Sequence, residues 1–331
     1  MISTIYIERD LLDHPRVGHI CEQYKNATKI HCERYTEVFN PASQSFRLQK
    51  KRPALVLARK HAPFVLETPD GYGVGGRENY YFSHMLNCIY DCRYCFLQGM
   101  YRSAHYVLFV NYEDFQSAIE EKLGQTENGA WFFSGYDCDS LALEPVTHFT
   151  KYFLPFFARH ADAWIELRTK STQIRLFLDR PPISNCVIAF SFTPHAVSKA
   201  LEHKVPSVEK RLEAMARLQE RGWPIGLRFD PLIYVDDYEK QYTELFAQVF
   251  HTLHTDTLHS VSLGPFRLPR DYYRKIVRLY PDEPLFAGSL AETDGMVSYP
   301  VDTQDRMVTF CREQLAAYVP QDICFSHAQA Y

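Results

Sequence analysis

The chain has 331 residues, of which 46% are hydrophobic, and its formal net charge is −4. This length and apolar content support one large domain or a domain with an appendage, and the acidic balance argues against a globally basic nucleic-acid-binding protein. No apolar run of about 18 residues is present, so no membrane span is expected. Nine cysteines and a charged N-terminus without a visible signal peptide predict a reducing, cytoplasmic location.

Residues 1–78 are predicted to form an N-terminal α/β extension. A short strand near Ile2–Ile7 precedes a helix near Arg9–Tyr24, and a later stretch ends in Ala54–Arg59. The glycines of 71–76 then form a flexible lead into the next domain. The extension also carries a cluster of cations, which predicts either a local nucleic-acid footprint or an ordinary solvated face. The cluster comprises Arg47, Lys50, Lys51, Arg52, Arg59, Lys60 and His61.

Residues 79–268 are predicted to form a partial (β/α)6 barrel, which is an α/β architecture. Apolar stretches typical of strands alternate with amphipathic helical patterns, and this alternation indicates βαβ units and a parallel sheet. One helical pattern starts near Ser207, and another runs from Tyr238 to Leu253. In such folds the site residues follow the carboxyl ends of the strands. The predicted strands are Tyr80–Leu86, Ala130–Ser134, Ala163–Arg168, Asn185–Phe192, Pro224–Phe229 and Leu258–Leu263.

Residues 269–331 are predicted to form a β-hairpin and a helix that pack on the barrel. Leu285–Ala291 and Met296–Tyr299 flank Asp294-Gly295, a dipeptide that favours a two-residue hairpin turn. An amphipathic pattern over Thr303–Tyr318 predicts the closing helix.

Three cysteines follow the first predicted barrel strand directly. Cys88, Cys92 and Cys95 have the spacing C-x3-C-x2-C, with an aromatic residue just before the third. An iron–sulfur cube has four iron corners that are usually bound by thiolates, so three cysteines leave one iron open. An open iron can chelate the amino and carboxylate groups of S-adenosylmethionine and pass it an electron, which makes a carbon radical inside a protein pocket. The spacing therefore favours a radical S-adenosylmethionine site.

Two other interpretations of the cysteines are less favoured. A structural zinc site needs four ligands and typically uses C-x2-C pairs, so the spacing is wrong even though His84 and His105 are near in sequence. A disulfide with one spare thiol does not suit a chain without a secretory signal.

The segment Cys88–Gln98 resembles the C-x3-C-H-Y-C-Y-L-Q segment of the spore photoproduct lyase family, which are radical S-adenosylmethionine DNA-repair enzymes. The cysteine loop alone is specific for the superfamily, whereas the further similarities, which cover nearly the whole chain, are specific for the family. These similar segments are Ile5–Glu8, Thr169-Lys170, Phe190-Ser191, Ser207–Ala214, Pro224–Leu227, Pro231–Tyr234, Phe266-Arg267 and Asp294–Tyr299.

The resemblance implies a carbon–carbon lyase that contains a [4Fe-4S] cluster and uses S-adenosylmethionine. A 5′-deoxyadenosyl radical removes hydrogen from C6 of a methylene-bridged thymine dimer, the bridging bond breaks, and a cysteine returns hydrogen with the help of a tyrosine relay that regenerates the cofactor. The implied partners are damaged DNA, from which the lesion is extruded, and an electron donor such as flavodoxin or ferredoxin. We expect a monomer that has no membrane association.

The resemblance also implies roles for individual residues. The cluster ligands are Cys88, Cys92 and Cys95, and Lys170 matches the position that pairs with the methionyl carboxylate. Ser191, Asp230 and Tyr94 are the other expected cofactor-binding residues, Arg267 and Tyr299 match DNA-contacting positions, and the expected catalytic residues are Cys138, Tyr136 and Tyr94.

The chain departs from the family pattern at the residues that handle hydrogen. The two relay tyrosines correspond to Tyr94 and Phe96, and phenylalanine has no hydroxyl hydrogen. The family's donor cysteine lies in an E-A-S-C-T-S-D run, which aligns on Asp139 so that Tyr136 takes the donor position and Cys138 follows two residues later. Cys138 is therefore either a donor or a loop residue that only contacts the cofactor.

The hairpin is the third departure. The family has a Lys/Arg-rich strand there, whereas this chain has Glu292, Thr293, Asp294, Met296 and Ser298. The hairpin should therefore hold phosphate more weakly.

Three functions follow as hypotheses. The favoured one is a DNA lyase that acts on thymine photoproducts. The second is an enzyme of the same family with another nucleic-acid lesion or a small molecule as substrate. The third is a non-enzymatic iron–sulfur nucleic-acid-binding module, which is disfavoured because Lys170 and Ser191 would serve a cofactor that such a module does not need.

Overall fold

The computed structural model describes residues 2–69, 71–76 and 78–326 and shows an α/β protein. Residues 327–331, the end of the predicted C-terminal region, lie outside the described residues. The strands are β1 (Thr4–Glu8), β2 (Thr28–Cys32), β3 (Leu55–Ala58), β4 (Leu66–Glu67), β5 (Asn79–Phe82), β6 (Met85–Leu86), β7 (Asp91–Cys92), β8 (Tyr106–Phe109), β9 (Ala130–Ser134), β10 (Ala163–Thr169), β11 (Cys186–Ser191), β12 (Glu202–His203), β13 (Ile225–Leu232), β14 (Leu258–Pro265), β15 (Arg267–Pro269), β16 (Ala291–Thr293), β17 (Met296–Ser298) and β18 (Cys324–Ser326).

The α-helices lie between these strands and after them, and several are single turns. They are α1 (Pro15–Gln23), α2 (Phe46–Lys51), α3 (Leu97–Met100), α4 (Tyr112–Leu123), α5 (Glu144–Thr147), α6 (Phe149–Ala158), α7 (Arg175–Leu178), α8 (His195–Leu201), α9 (Val208–Glu220), α10 (Tyr238–Thr252), α11 (Arg270–Leu279) and α12 (Val301–Leu315). Within the described ranges, none of the helices is both long enough and apolar enough to cross a bilayer.

The larger sheet contains the predicted barrel strands. Its order in the described part of the chain is β4-β5-β9-β10-β11-β13-β14-β18, and β5, β9, β10, β11, β13 and β14 pair in parallel. The sheet curls into a half-barrel, which confirms the predicted partial barrel. Beyond the predicted set, β18 adds in parallel to β14 and β4 forms an antiparallel edge. The carboxyl ends of the parallel strands therefore meet on one face of the sheet.

The predicted strand Tyr80–Leu86 is divided between two sheets. β5 belongs to the half-barrel, whereas β6 pairs with β8 in the smaller sheet. The chain changes sheets at the two residues between them, which are both buried. Ser83 donates a hydrogen bond to Asp137, and the ring of His84 stacks on Phe149 with the centroids 4.0 Å apart.

The smaller sheet, β2-β1-β3-β8-β6, joins early residues to later ones. β1, β2 and β3 lie in the predicted extension, 1–78, but β6 and β8 come from the predicted barrel segment, 79–268. In the other direction, β4 precedes residue 78 and pairs with β5. The predicted boundary therefore does not coincide with a break in backbone hydrogen bonding, because the chain crosses between the sheets on both sides of it.

Local capping explains where the predicted helices begin. The pattern that starts near Ser207 forms α9, and the Ser207 hydroxyl accepts a hydrogen bond from the N–H of Lys210. The N-terminal helix starts later than the predicted Arg9, because Pro15 occupies its first turn and His14 accepts the N–H of Arg16.

The C-terminal hairpin forms at the predicted turn. Asp294 and Gly295 have φ angles of 49° and 77°, the left-handed conformations that a two-residue hairpin turn needs. The predicted strand Leu285–Ala291 is wrong over most of its length: Pro284–Phe286 is a 3-10 turn, and only the short β16 pairs with β17. β17 also pairs with β15, which attaches the hairpin to the end of the half-barrel.

Charged side chains form a buried cluster on the inner face of the half-barrel. Glu166 accepts a hydrogen bond from Arg228 at 2.7 Å and another from Arg168 at 3.0 Å, and Arg228 also donates to Ser260 at 2.9 Å. The side chains of Glu166 and Arg228 have 0% exposure. Burial alone would raise the pKa of Glu166, but the charges of Arg228 and Arg168 lower it from 4.5 to about 2. The cluster stabilises the fold above pH 4.5, and this contribution is lost as the pH falls from 4.5 towards 2.

We expect Glu166→Gln to lower the free energy of unfolding at pH 7 by about 3–5 kcal/mol, because Arg228 remains fully buried without its counter-charge. Urea unfolding at several pH values should show the gap from wild type narrowing below pH 4.5. Glu244→Gln, on the exposed side of α10, is the matched control. If Glu166→Gln and Glu244→Gln had the same free energy of unfolding at pH 7, the buried cluster would not contribute to stability.

Candidate active site

A cavity of about 520 Å³ lies at the carboxyl ends of the barrel strands, which is where α/β proteins bind their ligands. Its walls come from the cysteine loop, the loop after β9, the ends of β10, β11 and β13, and the start of the segment after β14. Every predicted site residue except Tyr299 lines it. These lining residues are Cys88, Cys92, Tyr94, Cys95, Tyr136, Cys138, Lys170, Ser191, Asp230 and Arg267.

The cysteine loop is held in place at both ends. Asn87 adopts a φ of 66°, and its side-chain amide donates to the carbonyl groups of Ser103 and His105 at 2.8 and 2.7 Å. Cys92 lies in β7, which pairs antiparallel with β12. The N–H of Arg93 donates to a carbonyl just before β12. The loop therefore presents its thiols from a backbone that is bonded to its surroundings.

The thiols fit an iron–sulfur cluster. Burial raises the pKa of Cys88 to about 12 and also raises the pKa of Cys92 and Cys95, so they need a bound metal to ionise. Among the described residues, no three Cys, His, Asp or Glu side chains converge where one metal ion could bind. The three thiols line one cavity, and a cube places each thiolate on a different iron.

The histidines considered as zinc ligands do not line the cavity. His84 is buried against Phe149, and Nδ1 of His105 accepts the N–H of Ala54 at 3.1 Å. Both rings are therefore engaged elsewhere.

Lys170 is positioned by a partly buried carboxylate. Asp139 accepts hydrogen bonds from the backbone N–H of Lys170 at 2.6 Å, the hydroxyl of Thr169 at 2.7 Å and the N–H of Leu141 at 3.0 Å. These bonds join the loop after β9 to the end of β10. Nζ of Lys170 lies 5.6 Å from the ring centre of Tyr94, at the cavity wall. A cation at this point can bind a carboxylate ligand.

Glu202 is the centre of a buried polar network next to the cysteine loop. It accepts the hydroxyl hydrogen of Tyr94 and hydrogen bonds from Ser198 and Arg211, the latter two at 2.7 Å each. Arg211 also donates to the carbonyl of Ser191 at 2.7 Å. Burial alone would raise the pKa of Glu202, but the charge of Arg211 holds it below its usual value. The ionised carboxylate thus fixes the hydroxyl of Tyr94.

Asp230 and Arg267 come together beside Gly264. A Cβ atom at position 264 would lie 2.9 Å from Oδ1 of Asp230 and 3.2 Å from Nη1 of Arg267. Glycine is therefore needed for both charged groups to occupy this wall of the cavity. Ser191, at the end of β11, lines the cavity as well and is 3% exposed.

Tyr136 belongs to an aromatic cluster on the cavity wall. Its ring stacks on Tyr81 with the centroids 4.4 Å apart, and it contacts Phe96 at 5.5 Å and Tyr72 at 6.1 Å. Burial raises the pKa of Tyr136 above its usual value, so the hydroxyl keeps its hydrogen at neutral pH. Tyr136 is half-buried, whereas Cys138 is only 4% exposed.

Cys138 lies deeper than Tyr136, against the strand that leads into the cysteine loop. The backbone N–H of Met85, in β6, is near enough to the sulfur to offset part of the effect of burial on its pKa. Burial raises its pKa well above the usual value, and the nearby Cys88 and Asp139 add to this effect. The thiol therefore also keeps its hydrogen.

The structure does not bring Tyr299 to the cavity. Its side chain is 6% exposed, its hydroxyl accepts the N–H of Tyr234 at 3.0 Å, and its ring packs on Phe266. It braces the hairpin base, and its predicted DNA contact gains no support from this position.

Sequence reasoning missed the positioning roles of Asp139, Glu202 and Arg211. Asp139 accepts N–H groups two and three residues later, a local turn that an aspartate in a loop can signal. Arg211 lies between Val208 and Leu212 on the buried face of α9. A charged residue within an apolar helical stripe was the available signal for a buried ion pair.

A half-barrel with this cysteine loop at the carboxyl end of its strands defines a radical S-adenosylmethionine enzyme. The family model for spore photoproduct lyase matches residues 1–285. A spore photoproduct lyase of Clostridium acetobutylicum is 24% identical over 294 residues, which cover 86% of this chain and 84% of the relative. One of Bacillus subtilis is 23% identical over 289 residues, which cover 84% and 82%. The chain belongs to the spore photoproduct lyase family.

Solved structures support the fold. A spore photoproduct lyase variant with bound AdoMet and dinucleoside spore photoproduct superposes with a TM-score of 0.86, 17% identity and coverage of 99% of this chain and 98% of that chain. Another structure, a complex with dinucleoside spore photoproduct, has a TM-score of 0.83, 18% identity and the same coverage.

Replacing Cys88, Cys92 and Cys95 together by alanine should abolish cluster binding, because no thiolates remain in the loop. After anaerobic reconstitution we expect wild type to bind about four irons per chain and the variant to bind none, as measured by iron analysis and visible absorption. Cys21→Ala, a cysteine outside the cavity, is the control and should bind iron like wild type. Iron retained by the triple variant would contradict the ligand assignment.

Proposed function

We propose that this protein is a radical S-adenosylmethionine lyase that converts the spore photoproduct, a methylene-bridged thymine dimer, back to two thymines. One observation carries the proposal: the cysteine loop, Lys170 and two hydrogen-bearing groups, Tyr136 and Cys138, line the same cavity. Membership of the spore photoproduct lyase family supports this choice of substrate, as do related structures that contain AdoMet and the dinucleoside lesion.

The chain's residues divide into cofactor-holding and substrate-facing groups. Cys88, Cys92 and Cys95 would hold a [4Fe-4S] cluster, and Lys170 would pair with the methionyl carboxylate of S-adenosylmethionine. When bound, the two cofactors supply a 5′-deoxyadenosyl radical that removes hydrogen from C6 of the lesion. Further contacts to S-adenosylmethionine are assigned to Ser191, Asp230 and Tyr94.

The chain must then return one hydrogen atom to the thymine radical that remains after the bridging bond breaks. We assign this role to Tyr136, because it is half-buried on the cavity wall while Cys138 lies deeper against β6. The O–H bond of Tyr136 breaks as the thymine C–H bond forms. The phenoxyl radical then regains one proton and one electron, the electron coming from a donor of the flavodoxin or ferredoxin class.

The family's pair of relay tyrosines is not available to this chain. Phe96, which contacts Tyr136, has no hydroxyl. The hydroxyl of Tyr94 is held by the buried carboxylate of Glu202. We therefore propose that one S-adenosylmethionine is consumed for each lesion repaired.

The reduced, reconstituted protein should convert dinucleoside spore photoproduct to thymidine and release 5′-deoxyadenosine in step with each lesion repaired. Chromatography of both products tests this. Cofactor cleavage without thymidine would favour another substrate, and no 5′-deoxyadenosine would favour a non-enzymatic iron–sulfur module. Repair of many lesions for each 5′-deoxyadenosine released would show that the cofactor is recycled.

Tyr136→Phe removes the proposed donor hydrogen and leaves the ring stack with Tyr81 in place. We expect cofactor cleavage to continue while most thymidine is replaced by adducts of the thymine radical, detected by mass spectrometry. Cys138→Ala is the matched comparison and should keep its thymidine yield. The reverse result would assign the donor to Cys138.

A second candidate is a lyase of this family that acts on a different nucleic-acid lesion. The observation that favours it is the aromatic wall of Tyr72, Tyr81 and Tyr136, which offers stacking surfaces to any extruded base. Screening other dimeric pyrimidine photoproducts separates the two candidates.

The monomeric state stays a prediction.

A further inference from the structure

Helix α11 carries a ridge of cations. Arg270, Arg274 and Arg278 recur every four residues and therefore stack on one side of the helix about 6 Å apart. All three are exposed, as is the neighbouring Lys275, while Ile276 is buried on the opposite side. We call these three arginines with Lys275 the basic ridge.

The charges of the basic ridge are only partly balanced. Arg270 pairs with Glu292 at 3.1 Å and with Asp271 at 3.7 Å. Neither Arg274 nor Arg278 pairs with a carboxylate among the residues that the structure describes. Like charges four residues apart destabilise a helix, and the chain has more acidic than basic residues overall, 40 against 36. The ridge is thus a local concentration of positive charge that suits a polyanion.

The basic ridge lies beside the candidate active site. Tyr272, on the same helix, lines the cavity. α11 packs closely on α3, which follows the cysteine loop, and a Cβ atom at Gly99 would lie 2.5 Å from the carbonyl oxygen of Tyr272. Tyr272 lies one helical turn before Ile276, so it is on the side of α11 that faces away from the ridge. A strand bound along the ridge would therefore lie one helix diameter, about 10–12 Å, from the cavity wall.

The hairpin cannot supply this charge. Residues 279–305, which include β16 and β17, contain no lysine or arginine. A hydrogen bond from Arg270 to Glu292 joins the first residue of the ridge to strand β16 of the hairpin. The ridge therefore lies directly beside the hairpin in space.

We propose that the basic ridge of α11 binds the phosphate backbone of the DNA strand next to the lesion. This inference rests on the proposed function. Guanidinium groups suit the site because they bind phosphate oxygens in a bidentate manner. In this chain the cations that would bind phosphate lie on α11, and the hairpin contributes none.

The test measures binding of the whole chain to a short fluorescein-labelled DNA duplex by anisotropy, without cofactor, over a range of salt concentrations. Arg274→Gln together with Arg278→Gln should weaken binding roughly 10- to 100-fold at about 0.1 M salt. It should also reduce the slope of log affinity against log salt by about 1.8, or about 0.9 for each phosphate that the variant no longer neutralises. The matched control changes Lys210 and Arg217 to glutamine, two cations on α9, and should bind like wild type.

Turnover of the dinucleoside lesion separates this inference from the proposed function, because the dinucleoside has no flanking backbone. The α11 variant should convert it at the wild-type rate. If the wild-type protein did not convert the dinucleoside lesion, the proposed function would be wrong. The duplex-binding measurement would still test whether the ridge binds DNA.

Unchanged duplex affinity in the α11 variant would overturn the inference, and so would an equal loss in the α9 control. The inference would also be overturned if the α11 variant kept its duplex affinity but could no longer be reduced by flavodoxin. That result would indicate that the ridge binds an acidic redox protein instead of DNA. Arg274→Glu with Arg278→Glu should weaken duplex binding further than the glutamine pair, and an affinity equal to that of wild type would contradict the proposal.

Discussion

The buried ion pair of Glu202 and Arg211 is the interaction on which the candidate site depends. Both side chains have 0% exposure, so each charge is tolerable only because the other is present. Through Glu202 the pair holds Tyr94 of the cysteine loop, and through Arg211 it holds the carbonyl of Ser191 at the end of β11. Two walls of the cavity that are about a hundred residues apart in sequence are thus joined by one carboxylate and one guanidinium. The same network turns the hydroxyl of Tyr94 into a fixed structural donor.

The loop that carries the three largely buried thiols is also held by contacts of its own. Buried thiols gain nothing from ionising until a metal binds, so the loop needs a shape that does not depend on the cofactor. β7 and β12 provide backbone bonds, and Asn87 closes the other end. Asp139 fixes the backbone of Lys170 by accepting its N–H. The site is organised by side chains that have no chemical step of their own.

Much of the fold could be predicted because it rests on local patterns. Ala130–Ser134 is a strand over its whole predicted length, and four of the other five predicted barrel strands differ from their predictions only at the ends, because apolar runs and helical stripes record burial directly. β18 and the split of Tyr80–Leu86 were missed because strand partners are decided by tertiary contacts, such as the stacking of His84 on Phe149. In the site, the cysteine spacing was visible in the sequence. The partnership of Glu202 with Arg211 was not, because the pairing of these two charges depends on how β12 and α9 meet.

Gly99 has a consequence for the history of this family. A methyl group there would meet backbone atoms of Tyr272 at 2.5 and 2.9 Å, and backbone cannot move aside as a flexible side chain can. Position 99 is therefore closed to single-step replacement while α11 remains docked on α3. Homologues that retain the glycine should share this joint between the cysteine loop and α11, and homologues with a larger residue must have displaced the helix first.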